Sequence, residues 1–181
     1  MNRELYARLV GELGKPGLLW ETGQDHESQE RATLQWLPIA KLTDARIELG
    51  LSSNASWVRA TPQSVTVFRS DNPCVFLLPV LEINPDELRQ LLGHGLQARG
   101  LSTEFIRVFP FEVVVATGLE SHSERWAGLA LKWAEHLDAS SRLQNALGAL
   151  ATNGPTQKLR HAAQKLLARQ RKSGTGEQRH E

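Results

Sequence analysis

The sequence predicts an α+β fold in which a mostly antiparallel sheet is packed by helices and followed by a C-terminal helical extension. Three observations lead to this prediction. Apolar residues recur at helical spacing near the start, short runs rich in β-branched and aromatic residues follow between Gly17 and Leu81, and helical spacing returns after Asn84. Because the links between the strand-like runs are too short for helical crossovers, we expect antiparallel pairing.

The first half of the chain is predicted to form one helix and then strands. Leu5, Leu9 and Leu13 lie on one helical face. That pattern ends at Gly14-Lys15-Pro16, where glycine can adopt a left-handed cap and proline cannot continue a helix. Six later runs, separated by turn residues, are predicted as strands: residues 18–21, 34–40, 45–51, 57–60, 65–69 and 75–81.

A helix and a further strand pair are predicted after this sheet. Asn84 as N-cap, a proline at the first helical position and Glu87 at the capping-box position indicate a helix start. Two apolar runs at residues 104–109 and 111–117 are predicted as strands, and Pro110 between them requires an edge or a bulge.

The last third of the chain is predicted to be helical. Ser121 and Glu124 have capping-box spacing before a stripe that includes Trp126 and Trp133, and a second helix over residues 142–150 stops at Asn153-Gly154-Pro155. We therefore predict an α+β domain over residues 1–153 and a basic amphipathic helix over residues 154–172. Residues 173–181, rich in glycine and charge, are predicted to be a disordered tail.

Charge is distributed unevenly along the chain, whose net charge is +1. From Ala151 onward seven basic and two acidic residues give +5, whereas the preceding 14 basic and 18 acidic residues give −4. An acidic body with a basic tail indicates either an anionic partner for the tail or a tail that folds back onto the body.

Cysteine content and hydropathy favour a cytoplasmic protein without a membrane partner. The single Cys74 cannot form an internal disulfide, and it is expected to be a buried structural residue because no base or cation cluster lies near it in sequence. The charged first residues do not resemble a signal peptide, and no apolar run approaches the roughly 20 residues that span a bilayer.

Motifs that carry common catalytic chemistry are absent from the sequence. It contains no Gly-rich phosphate loop, dinucleotide fingerprint or Gly-x-Ser-x-Gly elbow, and no two of its six histidines have the i, i+4 spacing of a helical metal pair. Asp25-His26-Glu27 with Glu30 could ligate a metal, but a run of polar residues between strands is more often a solvated loop. We therefore predict no catalytic residue, no metal site and no cofactor.

Two sets of basic residues are candidate anion or nucleic-acid contacts. Each arginine of the first set stands two positions after an apolar residue in a predicted strand, and so shares its sheet face: Arg59, Arg69 and Arg107. The alternative is that these arginines extend over the edge of the core. The second set shares one face of the predicted basic helix: Lys158, Lys165, Arg169 and Lys172.

The order of predicted elements resembles the fold shared by type III secretion chaperones and YbjN-like proteins. The segment that carries the resemblance runs over residues 84–138, from Asn84-Pro85-Asp86-Glu87-Leu88-Arg89-Gln90-Leu91-Leu92 through the strand pair to Trp133-Ala134-Glu135-His136-Leu137-Asp138. The resemblance implies a small, often dimeric domain that binds other polypeptides without doing chemistry. It assigns no functional residue.

The first functional hypothesis is a non-enzymatic, chaperone-like or adaptor-like module that binds a protein partner or a second copy of itself. The second is a nucleic-acid-binding accessory protein that uses the basic helix, and the third is an enzyme whose site is assembled from scattered residues. An exposed apolar patch would favour the first, a continuous basic face the second, and a deep pocket with convergent polar groups the third.

Overall fold

The computed structural model describes residues 3–25, 33–42, 47–62, 64–68 and 74–176. These residues form a five-stranded antiparallel sheet and a set of helices, which confirms the predicted α+β class. The chain divides into two compact units: Met1–Asn72 with Asp86–Pro110, and Pro73–Pro85 with Phe111–Glu181. The predicted boundary of an independent domain at residue 153 stays a prediction.

The first unit begins with helix α1 and continues into the sheet. Helix α1, Arg3–Leu13, ends where the sequence predicts and buries Leu9 and Leu13. The strand order in the sheet follows the sequence: β1 Glu21–Gln24, β2 Thr33–Leu42, β3 Ile47–Ser52, β4 Trp57–Thr61 and β5 Ser64–Val67. The second to fifth predicted strands overlap β2 to β5, whereas β1 begins where the first predicted strand ends.

The sheet curls so that β1 and β5 approach each other. A parallel bridge joins Asp25 to Val65, and a Cβ atom built on Gly23 would lie only 2.2 Å from Cγ2 of Val65. A side chain at position 23 would therefore force Val65 to move. The inner face of the curl carries a buried apolar cluster: Trp36, Val58, Ala60 and Val65.

The outer face of the sheet meets helical segments of the first unit. Trp57 donates from Nε1 to the backbone oxygen of Phe105 at 3.0 Å, within a 3₁₀ helix over Thr103–Val108, and its ring meets Phe109 edge-on. Helix α2, Pro85–Gln97, approaches β2 closely, because a Cβ on Gly95 would lie 2.0 Å from the backbone oxygen of Ile39.

The described part of the second unit is helical. It contains a 3₁₀ helix over Val75–Glu82, α3 over Phe111–Glu120, α4 over Glu124–Ala134, α5 over Ser141–Asn153 and α6 over Gln157–Gly176. Helix α3 contacts the 3₁₀ helix, α4 and α5, so its residues from Val113 to Leu119 are all buried. Helix α6 packs on α5 and α4. Its buried residues are Leu159, Ala163 and Leu166.

Three predicted strands are wrong. Residues 75–81 and 104–108 lie in 3₁₀ helices, Phe109 follows the second of these, and residues 111–117 lie in α3. These runs are apolar and rich in valine and phenylalanine, as buried strands are. Helix α3 produces the same pattern because it is buried on nearly all sides, so no polar face is left to reveal the helical period. The run at 104–109 is only partly buried, and it is too short to show a helical period.

Two details of the helical half also differ from prediction. The cap of α4 is Ser123, whose hydroxyl oxygen accepts from the backbone N–H of Trp126, and the predicted cap, Ser121, instead donates its hydroxyl to the backbone oxygen of Gly118. Helix α6 continues to Gly176, past residue 173, where the disordered tail was predicted to begin. Residues 177–181 lie outside the described part of the chain.

Candidate functional site

The first set of predicted contacts is not arranged as the strand pattern suggested. Arg59 lies on β4 and is half-buried, and desolvation by burial lowers the pKa of its guanidinium from the usual value. Arg107 lies on the second 3₁₀ helix, not on a strand, and its exposed side chain pairs with Glu104 at 3.6 Å. The register argument that aligned Arg107 with Arg59 is therefore wrong, and Arg69 lies outside the described residues.

The second set lies on α6, as the helical spacing requires. Lys158, Lys165 and Arg169 are exposed on the helix, whose leucines at 159 and 166 are buried on the other side. Lys172 also lies within α6. Arg169 approaches Glu135, the C-cap of α4, at 4.0 Å, and Lys158 lines a groove between α4 and α6. Part of the basic face is thus directed toward the same unit.

This α4–α6 groove has a volume of about 700 Å³. Its floor is apolar, formed by Leu129 and Leu131 of α4 with Leu159 and Ala162 of α6. At Gly128 the nearest side-chain atom to an added Cβ would be Cδ2 of Leu159, at 3.9 Å, so the absence of a side chain widens the groove there. The remaining lining residues form a charged rim: Glu82, Glu124, Arg125, Lys132, Glu135 and Lys158.

Ion pairs within the second unit neutralise part of this rim. Arg125 pairs with Glu82, and its guanidinium also lies 5.1 Å from the ring centroid of Trp126. Glu135 pairs with Arg169. Setting these pairs aside leaves the rim with two lysines, Lys132 and Lys158, and one carboxylate, Glu124, so its residual charge is weakly positive.

Cys74 is buried, as expected, and its backbone N–H donates to Oγ1 of Thr117 at 3.2 Å. Within the described ranges, histidine, cysteine and carboxylate side chains form no group of three or more that could hold a metal ion, and most of the alternative metal loop, residues 26–30, lies outside them. No described helix combines the length and the apolar character that crossing a bilayer would require.

Among the residues that line the groove, the sequence predicts only Lys158 as a contact. It also predicts helix α4, but not that α4 forms one side of a groove. The missed signal is a glycine inside the strong amphipathic pattern of α4, at Gly128, combined with an alanine at 162 on a helix with few apolar residues. Small residues on two neighbouring helices leave space between them. Comparison of the chain with protein-family models, curated proteins and solved structures finds no match.

The predicted resemblance to the secretion-chaperone and YbjN-like fold is therefore untested. The strand pair on which it partly depended is helical in this chain. The expectation of polypeptide binding has to be argued from the groove itself.

Proposed function

We propose that the protein is a non-enzymatic interaction module that binds a helical segment of a partner polypeptide in the α4–α6 groove. The observation that carries the proposal is the apolar floor bordered by charged residues on both helices. An amphipathic helix binds such a groove by burying its apolar face, while its flanking polar residues contact the rim. This is the adaptor-like or chaperone-like reading of the chain.

The residual charge of the rim specifies the occupant further. Lys132 and Lys158 are exposed on opposite helices, on either side of the floor. A partner helix with acidic residues beside its apolar stripe would complement both lysines, which contributes more to orientation and association rate than to affinity. The partner is thus expected to present an acidic amphipathic helix.

Nucleic-acid binding by the same surface is less well supported. Phosphate backbones favour a continuous basic stripe, whereas Glu124 and Glu135 interrupt the cations along this groove. The apolar floor also has no role in binding phosphates. The test therefore includes nuclease treatment, because nuclease removes a nucleic-acid partner and leaves a polypeptide partner intact.

The test compares two tryptophan substitutions on the same helix. Ala162 lines the groove, whereas Ala168 is equally an exposed alanine of α6 that does not line it. Wild-type protein, Ala162→Trp and Ala168→Trp are used to capture polypeptides from a nuclease-treated native extract, and the captured proteins are quantified. We expect a set of polypeptides that is lost with Ala162→Trp and retained with Ala168→Trp.

Hydrogen exchange provides the direct readout. Amides of α4 and α6 should exchange more slowly when a captured partner is added, and a synthetic helical peptide from that partner should compete. Wild-type capture is also measured from an untreated extract. Equal capture by both variants, or wild-type capture that is present in the untreated extract and absent after nuclease treatment, would overturn the proposal.

A further inference from the structure

The curled sheet of the first unit contains a separate pocket of about 560 Å³, which lies within the range of small-molecule sites. Trp36, Ala60 and Val65 of the inner apolar cluster line it, together with the backbone around Gly23. Thr22, Gln24, Thr61 and Ser64 add polar groups to its wall, and the exposed Glu21 adds a carboxylate on β1.

A β-bulge in β2 places a charged residue in this pocket. The register between β2 and β3 shifts between Pro38 and Ala40, so one extra residue, Ile39, is inserted. Trp36 and Lys41 are five positions apart and would point to opposite faces of a regular strand. Because of the extra residue, every side chain after the bulge points to the face opposite to the one expected from regular alternation. Lys41 therefore lies on the same inner face as Trp36.

The pairing register places the opposite charge beside Lys41. Lys41 pairs with Glu48 of β3, and Glu48 pairs in turn with Ala60 of β4, which belongs to the inner cluster. Side chains of directly paired residues lie about 5 Å apart at Cβ and share one face. In the part of the chain that the structure describes, Lys41 and Glu48 form no ion pair with each other or with a third residue.

The bulge is held from outside the sheet by α2. Gly95 of α2 approaches the backbone oxygen of Ile39, which is the residue inserted at the bulge. A side chain at position 95 would collide with backbone, which cannot move aside cheaply. Helix α2 therefore braces the part of β2 that directs Lys41 into the pocket.

We propose that this pocket binds a zwitterionic α-amino acid with an apolar side chain. The ammonium of Lys41 is positioned for the ligand carboxylate and the carboxylate of Glu48 for the ligand ammonium, while Trp36, Ala60 and Val65 accept the side chain. Two opposite charges a few ångströms apart match the two charges of an amino acid, whereas a simple anion or cation would complement only one of them. The ligand is bound and not transformed, so the site adds a small-molecule function to the polypeptide-binding proposal without depending on it.

Calorimetric titration with three related ligands tests this assignment: phenylalanine, phenethylamine, which lacks the carboxylate, and 3-phenylpropionate, which lacks the ammonium. Phenylalanine is expected to bind most tightly. Lys41→Met and Glu48→Gln should each weaken phenylalanine binding by about tenfold or more, the value of one charged hydrogen bond. Lys165→Met, an exposed change on α6, is the control and should have no effect.

The single-charge ligands separate the two roles. Phenethylamine binding should depend on Glu48 and not on Lys41, and 3-phenylpropionate binding should depend on Lys41 and not on Glu48. Far-UV circular dichroism is used to check that each variant is folded. Because the side chain of Lys41 is exposed, we expect Lys41→Met to fold normally. Absence of heat with all three ligands, or phenylalanine binding that neither variant changes, would overturn the proposal. The groove variant Ala162→Trp should leave amino-acid binding unchanged, so failure of either proposal is visible independently of the other.

Discussion

Replacing Trp133 by alanine tests how the second unit is held together. Its side chain is 2% exposed, and its ring centroid lies 6.0 Å from that of Phe111. Its Nε1 donates to the backbone oxygens of Leu81 and Ile83, at 3.2 and 3.0 Å, and so ties α4 to the end of the 3₁₀ helix. Alanine removes both the buried ring and this shared donor.

The expected cost follows from these two losses. Truncating a buried tryptophan to alanine costs about 3–5 kcal/mol, and losing the donor to a buried carbonyl costs about 1 kcal/mol. We expect Trp133→Ala to lower the free energy of unfolding by about 4–6 kcal/mol, a large part of the roughly 5–15 kcal/mol of a typical domain. Urea denaturation followed by far-UV circular dichroism measures this change.

Two further variants separate the contributions. Trp133→Phe keeps much of the buried ring and removes only the donor, so its cost should be about 1–2 kcal/mol. Trp126 is the matched control on the same helix, because it is only half-buried and contacts Arg125 at the surface. Trp126→Ala should cost about 1 kcal/mol. A loss below about 1 kcal/mol for Trp133→Ala, or equal losses for both alanine variants, would refute the reasoning.

Two smaller predictions concern backbone approach and helix capping. Gly95→Ala places a Cβ 2.0 Å from the backbone oxygen of Ile39 and should destabilise by about 2 kcal/mol or more, whereas Gly93→Ala on the same helix meets only ordinary contacts and should be neutral or stabilising by up to about 1 kcal/mol; thermal melts that rank the two equally contradict this. Ser123→Ala should cost about 1 kcal/mol by urea denaturation because it removes the cap of α4. A larger loss from Ser121→Ala would restore the cap predicted from sequence.

The groove was visible in the sequence only in part. The basic face of α6 follows from helical spacing, so Lys158, Lys165 and Arg169 could be placed on the exposed side in advance. Lys158 and Lys132 line the same groove because α4 packs beside α6. The spacing of residues within one helix does not show which helix will pack against it. The pairing of Arg169 with Glu135 was hidden for the same reason.

The pocket in the sheet shows a different limit. Trp36 could be assigned to a strand, but regular alternation places Lys41 on the face opposite to it. The bulge at Ile39 reverses that assignment, and it lies where Gly95 of α2 approaches β2. The bulge is defined by pairing with β3, and the approach involves a third segment, so the spacing of residues within β2 reveals neither.

By itself the sequence determined the α+β class, helix α1, the start of α2, the last two helices and most of the antiparallel strands. These elements have either an exposed polar face that reveals their period or a proline or glycine stop, which are local properties. Tertiary structure alone decided that residues 75–81, 104–108 and 111–117 are helical. Residues 111–117 are largely buried, and the other two runs are short, so none of them shows a period that distinguishes a helix from a strand. It also decided where α4 meets α6 and which face Lys41 occupies, since both depend on contacts between segments far apart in the chain.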